Sequence, residues 1–254
     1  MTHTQEPLIS VITLSWDNQP YTEAFVKSIR ANTTLPYELI IVDNGSAAET
    51  QHWVQNVADR ALIFAENQGF PGGFNQGAAL ADGKYLLMAN NDTEFPPHWD
   101  VRLVETIEKY PNAGIVTPAY TSGRKSALRF EPGDGIKIIG RFRKYPSGVA
   151  FFMRKEQFHH VFGGWSMEYA VASGEDADLC FTVWKKGYEI VVDERVLVIH
   201  EGKVTSQSKL ADWRTHFRAN SRQFKRKWFY YFYFPYLARV TEGLRQVIKP
   251  GARH

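Results

Sequence analysis

The sequence predicts an α/β domain with a mostly parallel sheet covered by helices on both faces, and a helical extension at its C-terminal end. Three observations lead there. As far as Pro118, short and nearly continuous apolar runs alternate with segments of helical period, as in parallel strands buried on both faces. Polar residues gather just after those runs, at Asp17, Asp43, Asn90-Asn91-Asp92 and His200, where open α/β sheets hold their ligands. No repeat or low-complexity linker interrupts the chain before a basic, aromatic stretch begins near Ser206, so the expected division is 1–205 and 206–254.

The elements follow in order. LISVITLS (8–15) is a β-rich apolar run. Pro20 precedes YTEAFVKSIRANT, where Phe25, Val26 and Ile29 recur at helical spacing. YELIIVD (37–43) is a second strand, ending at Asp43-Asn44-Gly45-Ser46. AETQHWVQNVAD is a second helix and ALIFAE (61–66) a third strand. NQGFPGGFNQG reads as a glycine-rich loop leading into a helix, and KYLLMAN (84–90) as a fourth strand. A helix over about 97–109 and the strand AGIVTP (113–118) come next. TSGRKSALRFEPGDG (121–135) is polar and reads as a mobile loop. SGVAFFMRKEQF (147–158) reads as a strand entering a helix, and SGEDADLCFTVWKKG (173–187) as a helix capped by Ser173 with Asp176. YEIVVDE and VLVIH read as two more strands, closing at His200.

Bulk properties exclude some classes. With 254 residues, 44% hydrophobic and 22% charged, the chain is composed like an ordinary globular protein. A net charge of +3 does not by itself call for nucleic acid. Cys180 stands alone, so no internal disulfide forms and a reducing compartment fits. MTHTQEPLIS lacks the pattern of a signal peptide, and no apolar run reaches the roughly 18 residues of a membrane-spanning helix. The expected location is cytoplasmic, with peripheral contact at the inner face of the cell membrane left open.

Four stretches carry chemistry, each with a plainer alternative. In LLMANNDTEF, two amides and a carboxylate end an apolar strand, either as a turn or as a metal or phosphate site. The glycines of ENQGFPGGFNQGAAL match neither a P-loop nor a dinucleotide fingerprint; they either let backbone N–H groups approach an anion or merely connect elements. Glu175, Asp176 and Asp178 either complement a helix dipole or include a general base, with Asp176 the candidate. His200 gains interest beside Asp92, because an imidazole and a carboxylate could share a divalent ion; HEGK lacks the second histidine of a zinc protease.

The order of these motifs resembles the family 2 glycosyltransferases of GT-A fold over about residues 8 to 205. SVITLSWDNQPY is similar to that family's first strand and turn, and IIVDNGS to its second-strand motif. ENQGFPGGFNQGAALADGKYLLMANNDTEF resembles its N-x-G…N-x-G…L-N-x-D run, and GEDADLCFTVWKKGYEIV its ED-x-D-L segment. The resemblance implies an inverting, metal-dependent transferase that moves a sugar from a nucleoside-diphosphate sugar to a hydroxyl acceptor, such as a glycan or lipid-linked sugar of bacterial surface polysaccharide. It implies Mn²⁺ or Mg²⁺ at Asp92 and His200, and Asp176 as base. It places Ser15, Trp16, Asp43, Asn67, Gly73, Asn75, Asn90 and Asn91 on the donor side, and Trp165 and Glu175 on the acceptor side. Trp16-Asp17 departs from the usual Tyr-Asn, Asn90-Asn91-Asp92 from DxD, Gly164-Trp165-Ser166-Met167 from Gly-Phe-Asp-Glu, and Thr182 from Arg. A competing reading is a catalytically weak nucleotide-sugar-binding module acting with a partner; the intact Asp92, Asp176 and His200 argue against it. A nucleotidyltransferase would want a glycine-rich basic loop after the first strand, which LSWDNQP does not offer.

RQFKRKWFYYFYFPYLARV mixes cations with aromatics. Packing on the catalytic domain or a dimer interface is preferred over a lipid surface, and no other feature supports nucleic acid.

Overall fold

The computed structural model describes residues 6–121, 135–142, 144–169, 173–202 and 213–233. In chain order the elements are β1 (Ile9–Ser15), α1 (Gln19–Asn32), β2 (Tyr37–Asp43), α2 (Ala48–Val57), β3 (Arg60–Ile63), α3 (Gly69–Leu80), β4 (Tyr85–Ala89), β5 (Thr93–Glu94), α4 (Trp99–Lys109) and β6 (Ala113–Tyr120). There follow β7 (Ile136–Ile138), β8 (Ala150–Arg154), a wide-turned π-helical segment (Gln157–Phe162), α5 (Glu175–Lys185), β9 (Glu189–His200), α6 (Trp213–Lys227) and α7 (Phe229–Tyr233). Most of the expected TSGRKSALRFEPGDG loop lies outside the described residues.

The strands form one sheet in the order β3-β2-β1-β4-β8-β6-β9-β5, with β7 on β9. Strands β1, β2, β3 and β4 pair in parallel, as does β6 with β9. β8 lies antiparallel between β4 and β6, and β5 and β7 lie antiparallel to β9. The sheet is therefore mixed but mostly of one direction, as expected, with β5, β7 and β8 its antiparallel strands. A buried antiparallel strand such as Ala150–Met153 is as continuously apolar as a parallel one, so composition cannot tell them apart.

Alternation along each strand divides the core between the two faces. Ile9, Val11, Leu39, Ile41 and Leu87 meet Phe25 and Ile29 of α1 and Trp99 and Leu103 of α4. Ile12, Ile40, Val42, Leu86 and Met88 meet Phe74 of α3 and Phe181 and Trp184 of α5. The glycine-rich segment is a helix, not a loop: α3 begins at Gly69, and Gly72, Gly73 and Gly77 are buried in it. A Cβ on Gly73 would come within 2.7 Å of Leu14, and one on Gly77 within 2.7 Å of Ile12. Bare helix backbone thus rests on β1, and the close packing outweighs the usual cost of helical glycine.

Two expected strands near the end merge. Glu189–His200 is continuous, with an irregularity opposite Pro118/Ala119 that carries it through the Asp193-Glu194-Arg195 turn in polarity. Asp193 is fully buried there, accepting from Thr106 Oγ1 at 2.7 Å and from Arg195 Nε at 2.9 Å. These bonds supply what buried charge requires, so the acids do not end the strand.

The described part of the C-terminal stretch packs on the domain. Phe224 and Trp228 of the α6 region join the core cluster of α5. Asp178, itself buried, accepts from Trp228 Nε1 at 2.7 Å, Tyr169 Oη at 2.8 Å and Lys227 Nζ at 3.0 Å. Asn220 Nδ2 donates to the Ser173 carbonyl at 2.9 Å. Asp178→Ala should lower unfolding free energy by about 3 kcal/mol, because it strands two buried donors and a half-buried ammonium. Asp178→Asn should cost less; denaturant unfolding of the three proteins checks the order.

Candidate functional site

The carboxyl ends of β1, β2, β4 and β9 and the amino end of β8 fall on one edge of the sheet, because β8 runs antiparallel to β4 and β6. Ser15 and Asp43 stand opposite each other in the β1–β2 register. Asp43 Oδ1 accepts from the Ser46 N–H at 2.9 Å, while Asp43 Oδ2 and Ser15 Oγ are buried without a hydrogen-bond partner. Two such oxygens side by side suit a ligand that brings its own donors. Trp16 follows, half-buried. Asp17, at φ 50°, donates its N–H to Ser46 Oγ at 2.7 Å and accepts the Ala47 N–H at 2.9 Å on Oδ1. An acid at the N-terminus of α2 complements its dipole, which explains Asp17 where the family usually has Asn.

Asn90, Asn91 and Asp92 separate in role. The Asn90 backbone N–H donates to the Val149 carbonyl, and its carbonyl accepts from Thr93 Oγ1 at 2.7 Å. Asn91 is buried and turns its amide inward, donating to Thr22 Oγ1 of α1 at 2.8 Å. This bond fixes the turn against α1. Asp92 is held by the end of β9: its carbonyl accepts the Glu201 N–H at 3.0 Å and its Oδ2 the Gly202 N–H at 3.1 Å. Asp92 Oδ1 then lies 3.3 Å from His200 Nε2. The Thr121 hydroxyl accepts the His200 backbone N–H at 3.1 Å. One carboxylate oxygen and one imidazole nitrogen at this separation are spaced much like adjacent ligands of a divalent ion with bonds of about 2.1 Å. Imidazole favours Mn²⁺ over Mg²⁺. Among the described residues no third His, Cys, Asp or Glu joins them, so water or a ligand's oxygens would fill the remaining positions.

The acidic helix divides its three carboxylates. Its cap is Gly174 at φ 97°, whose carbonyl accepts the Asp178 N–H, and not the expected Ser173 side chain. Asp178 faces α6, as above. Asp176 is half-buried at the sheet edge, where its Oδ2 accepts the Gly148 N–H at 3.2 Å and its Oδ1 the Ala177 N–H at 2.7 Å. Glu175 is buried, with Oε2 lacking a partner. Burial raises both carboxyls above their ordinary values, and the neighbouring Asp176 charge lifts Glu175 further, to about 8. Burial and the closeness of the two acids thus favour retention of a proton by the pair. Burial, together with the carboxyls of Asp176 and Glu175 nearby, also pushes the Tyr145 hydroxyl up to about 12.

The remaining expected residues hold the framework. Asn67 Oδ1 accepts the Gly69 N–H at 2.7 Å, at the start of α3. Asn75 Nδ2 donates to the Trp165 carbonyl at 2.9 Å and its Oδ1 accepts the Trp165 N–H at 2.8 Å. Trp165 itself is buried, stacked on Phe151 with ring centroids 5.7 Å apart, and donates its indole N–H toward Met88 Sδ. It lies below Gly148, whose Cβ position would fall 3.3 Å from Asp176 Cβ and 3.7 Å from the Trp165 ring. Gly73 rests against Leu14, where a Cβ would come within 2.7 Å. The sequence reading missed Asn44, whose side chain accepts the Gln68 N–H at 2.8 Å and donates to the Gly69 carbonyl. Its position in DNGS, just after a strand, was the available signal.

The family model "Glycosyl transferase family 2" matches residues 10–169. The chain belongs to this glycosyltransferase family. The chain is 30% identical over 113 residues to an uncharacterised glycosyltransferase of Nostoc sp., covering 42% of this chain and 35% of that one. It is 24% identical to the glucosyl-dolichyl phosphate glucuronosyltransferase of Haloferax volcanii over 82% of this chain and 71% of that one. The chain thus spans about a third of the first relative's length and most of the second's. Its fold is shared with GalNAc-T7 crystallised with UDP, GalNAc and Mn²⁺ (TM-score 0.66, 15% identity, 81% of this chain and 45% of that one). It is shared equally with S. aureus TarS 1-349 in complex with UDP-GlcNAc (TM-score 0.66, 14% identity, 85% of this chain and 66% of that one).

The raised Glu175 carboxyl gives stability a definite pH dependence. Its native value lies above the unfolded one, so the native state holds the extra proton between the ordinary 4.5 and about 8. The associated stability is complete below that window and is lost as pH rises through it, by up to about 1.4 kcal/mol per pH unit for one proton. Glu175→Gln should flatten this decline; thermal melts between pH 5 and 9 check it.

Proposed function

We propose that this transferase moves a sugar from a nucleoside-diphosphate sugar to a hydroxyl acceptor in one in-line displacement, inverting the anomeric carbon. The observation that carries the reading is the Asp176 carboxyl, held by the Gly148 N–H on the same sheet edge as the Asp92–His200 pair. The fold's likeness to proteins crystallised with UDP and with UDP-GlcNAc supports a nucleotide-sugar donor.

The roles follow from position. Ser15, Trp16 and Asp43 hold the nucleoside, with Asp43 Oδ2 and Ser15 Oγ accepting its donors. Asn90 lies beside the diphosphate, while Asn67, Gly73, Asn75 and Asn91 keep α3 and the β4 turn in place. Asp176 removes the proton from the acceptor hydroxyl as that oxygen bonds to the anomeric carbon. The bond from that carbon to the diphosphate oxygen breaks, and its electron pair leaves with the nucleoside diphosphate. Glu175, buried beside Asp176 with its carboxyl raised to about 8, limits the negative charge the two acids carry together. Asp92 and His200 would hold Mn²⁺ or Mg²⁺, which when bound offsets negative charge on the departing diphosphate. Residues 1–205 form the catalytic domain and 206–254 the extension. A lipid-linked or glycan acceptor in cell-surface polysaccharide synthesis is the class favoured, since one relative's name is that of an enzyme acting on glucosyl-dolichyl phosphate.

Calorimetric titration with UDP, dTDP and GDP, each with and without Mn²⁺, tests the donor site. One nucleotide should bind tightly to the wild type and to Asp176→Asn, and weakly to Asp43→Ala. No binding of any of the three would overturn the reading. With the donor so named, Asp176→Asn should lower turnover by about 10²–10⁴-fold while leaving nucleotide affinity intact.

A further inference from the structure

Helix α6 has two unlike faces. Asn220, Phe224 and Trp228 are buried against the catalytic domain. Arg214, Arg218, Arg222, Lys225 and Arg226 are exposed, and at helical spacing they form one stripe on the opposite side. Phe229 and Tyr230, 50% and 39% exposed, stand at the end of that stripe. No Asp or Glu occurs between residues 213 and 233, and the six Lys and Arg there outnumber the chain's whole net charge of +3. The rest of the chain is therefore net acidic, with 24 Lys and Arg against 27 Asp and Glu.

Lys227 is the exception that shows what the stripe is not. It turns inward to Glu168 at 2.9 Å and Asp178 at 3.0 Å. The five outward cations make no ion pair among the described residues. A helix needing only to pack and stay soluble would carry charges of both signs on its outer face.

We propose that the outer face of α6, with Phe229 and Tyr230, docks on an anionic lipid surface. The cations match the negative headgroups, and the exposed aromatic pair suits the membrane–water interface, where a polyanion such as RNA would offer only charge and bases to stack. Among the described residues no helix is long and apolar enough to cross a membrane, so the contact is peripheral. The inner face of the same helix bonds Ser173 and Asp178, which flank Glu175 and Asp176. The acid helix thus lies about one helix diameter, 10–12 Å, from the lipid face. The inference stands on the surface of α6 and does not depend on the donor assignment.

Flotation of the full chain with phosphatidylcholine vesicles, alone or with about one-third phosphatidylglycerol, at roughly 0.1 M salt tests it. The protein should float only with the anionic vesicles. Each basic residue multiplies such partitioning by about five, so Arg214→Gln/Arg218→Gln/Arg222→Gln should reduce it roughly a hundredfold with an unchanged melting temperature. Phe229→Ala/Tyr230→Ala should also weaken it, which keeps the test decisive if the triple variant fails to fold. Absence of flotation with either vesicle would overturn the proposal, as would flotation unaltered in the folded variants. Binding to soluble polyphosphate as tight as to vesicles, and indifferent to Phe229 and Tyr230, would assign the stripe to a polyanion instead.

Discussion

Asp92 is held by the backbone that leaves β9, and the site depends on that contact. The strand order puts β8 and β6 between β4 and β9, so the two loops would otherwise have no reason to meet. The β5–β9 pairing, Thr93 opposite His200, folds the end of β9 back over the β4 turn. The Glu201 and Gly202 N–H groups then take the Asp92 carbonyl and Oδ2, which leaves Oδ1 aimed at His200. Hydrogen bonds to an ionised oxygen are stronger than neutral ones, so the arrangement is set before any ligand arrives. Anchoring by backbone N–H also fixes the pair without depending on flexible side chains.

The division of labour among clustered polar residues repeats this economy. Of Asn90-Asn91-Asp92, one amide ties down α1 and the carboxylate faces the site. Of Glu175, Asp176 and Asp178, one is buried with its carboxyl raised, one faces the site edge, and one anchors α6. Each cluster was visible in the sequence, but its allocation was not. Allocation depends on which face of a turn or helix meets Thr22, Gly148 or Trp228, and those residues are 69, 28 and 50 positions away.

Much else was legible. The parallel strands from Ile9 to Ala89 and the helices between them follow from apolar runs and helical period, and their bounds lie within a few residues of the reading. The glycine-rich segment misled because glycine disfavours helices in isolation; only the closeness of Leu14 and Ile12 shows why α3 needs it. The antiparallel placement of β8 and the two-residue β5 carry no periodic signal. The C-terminal aromatics combined two expectations in one helix, since packing uses Phe224 and Trp228 while the cations occupy the other side.

The central claim is that Asp92 and His200 act as one cation-holding pair. Titration of Mn²⁺ followed by electron paramagnetic resonance, in the presence of the preferred nucleoside diphosphate, measures it directly. The account predicts that the free-ion signal is lost at about one equivalent in the wild type, and that His200→Ala and Asp92→Ala each weaken binding at least tenfold. Equal Mn²⁺ affinity in the wild type and both folded variants would contradict it and return the pair to a purely structural role.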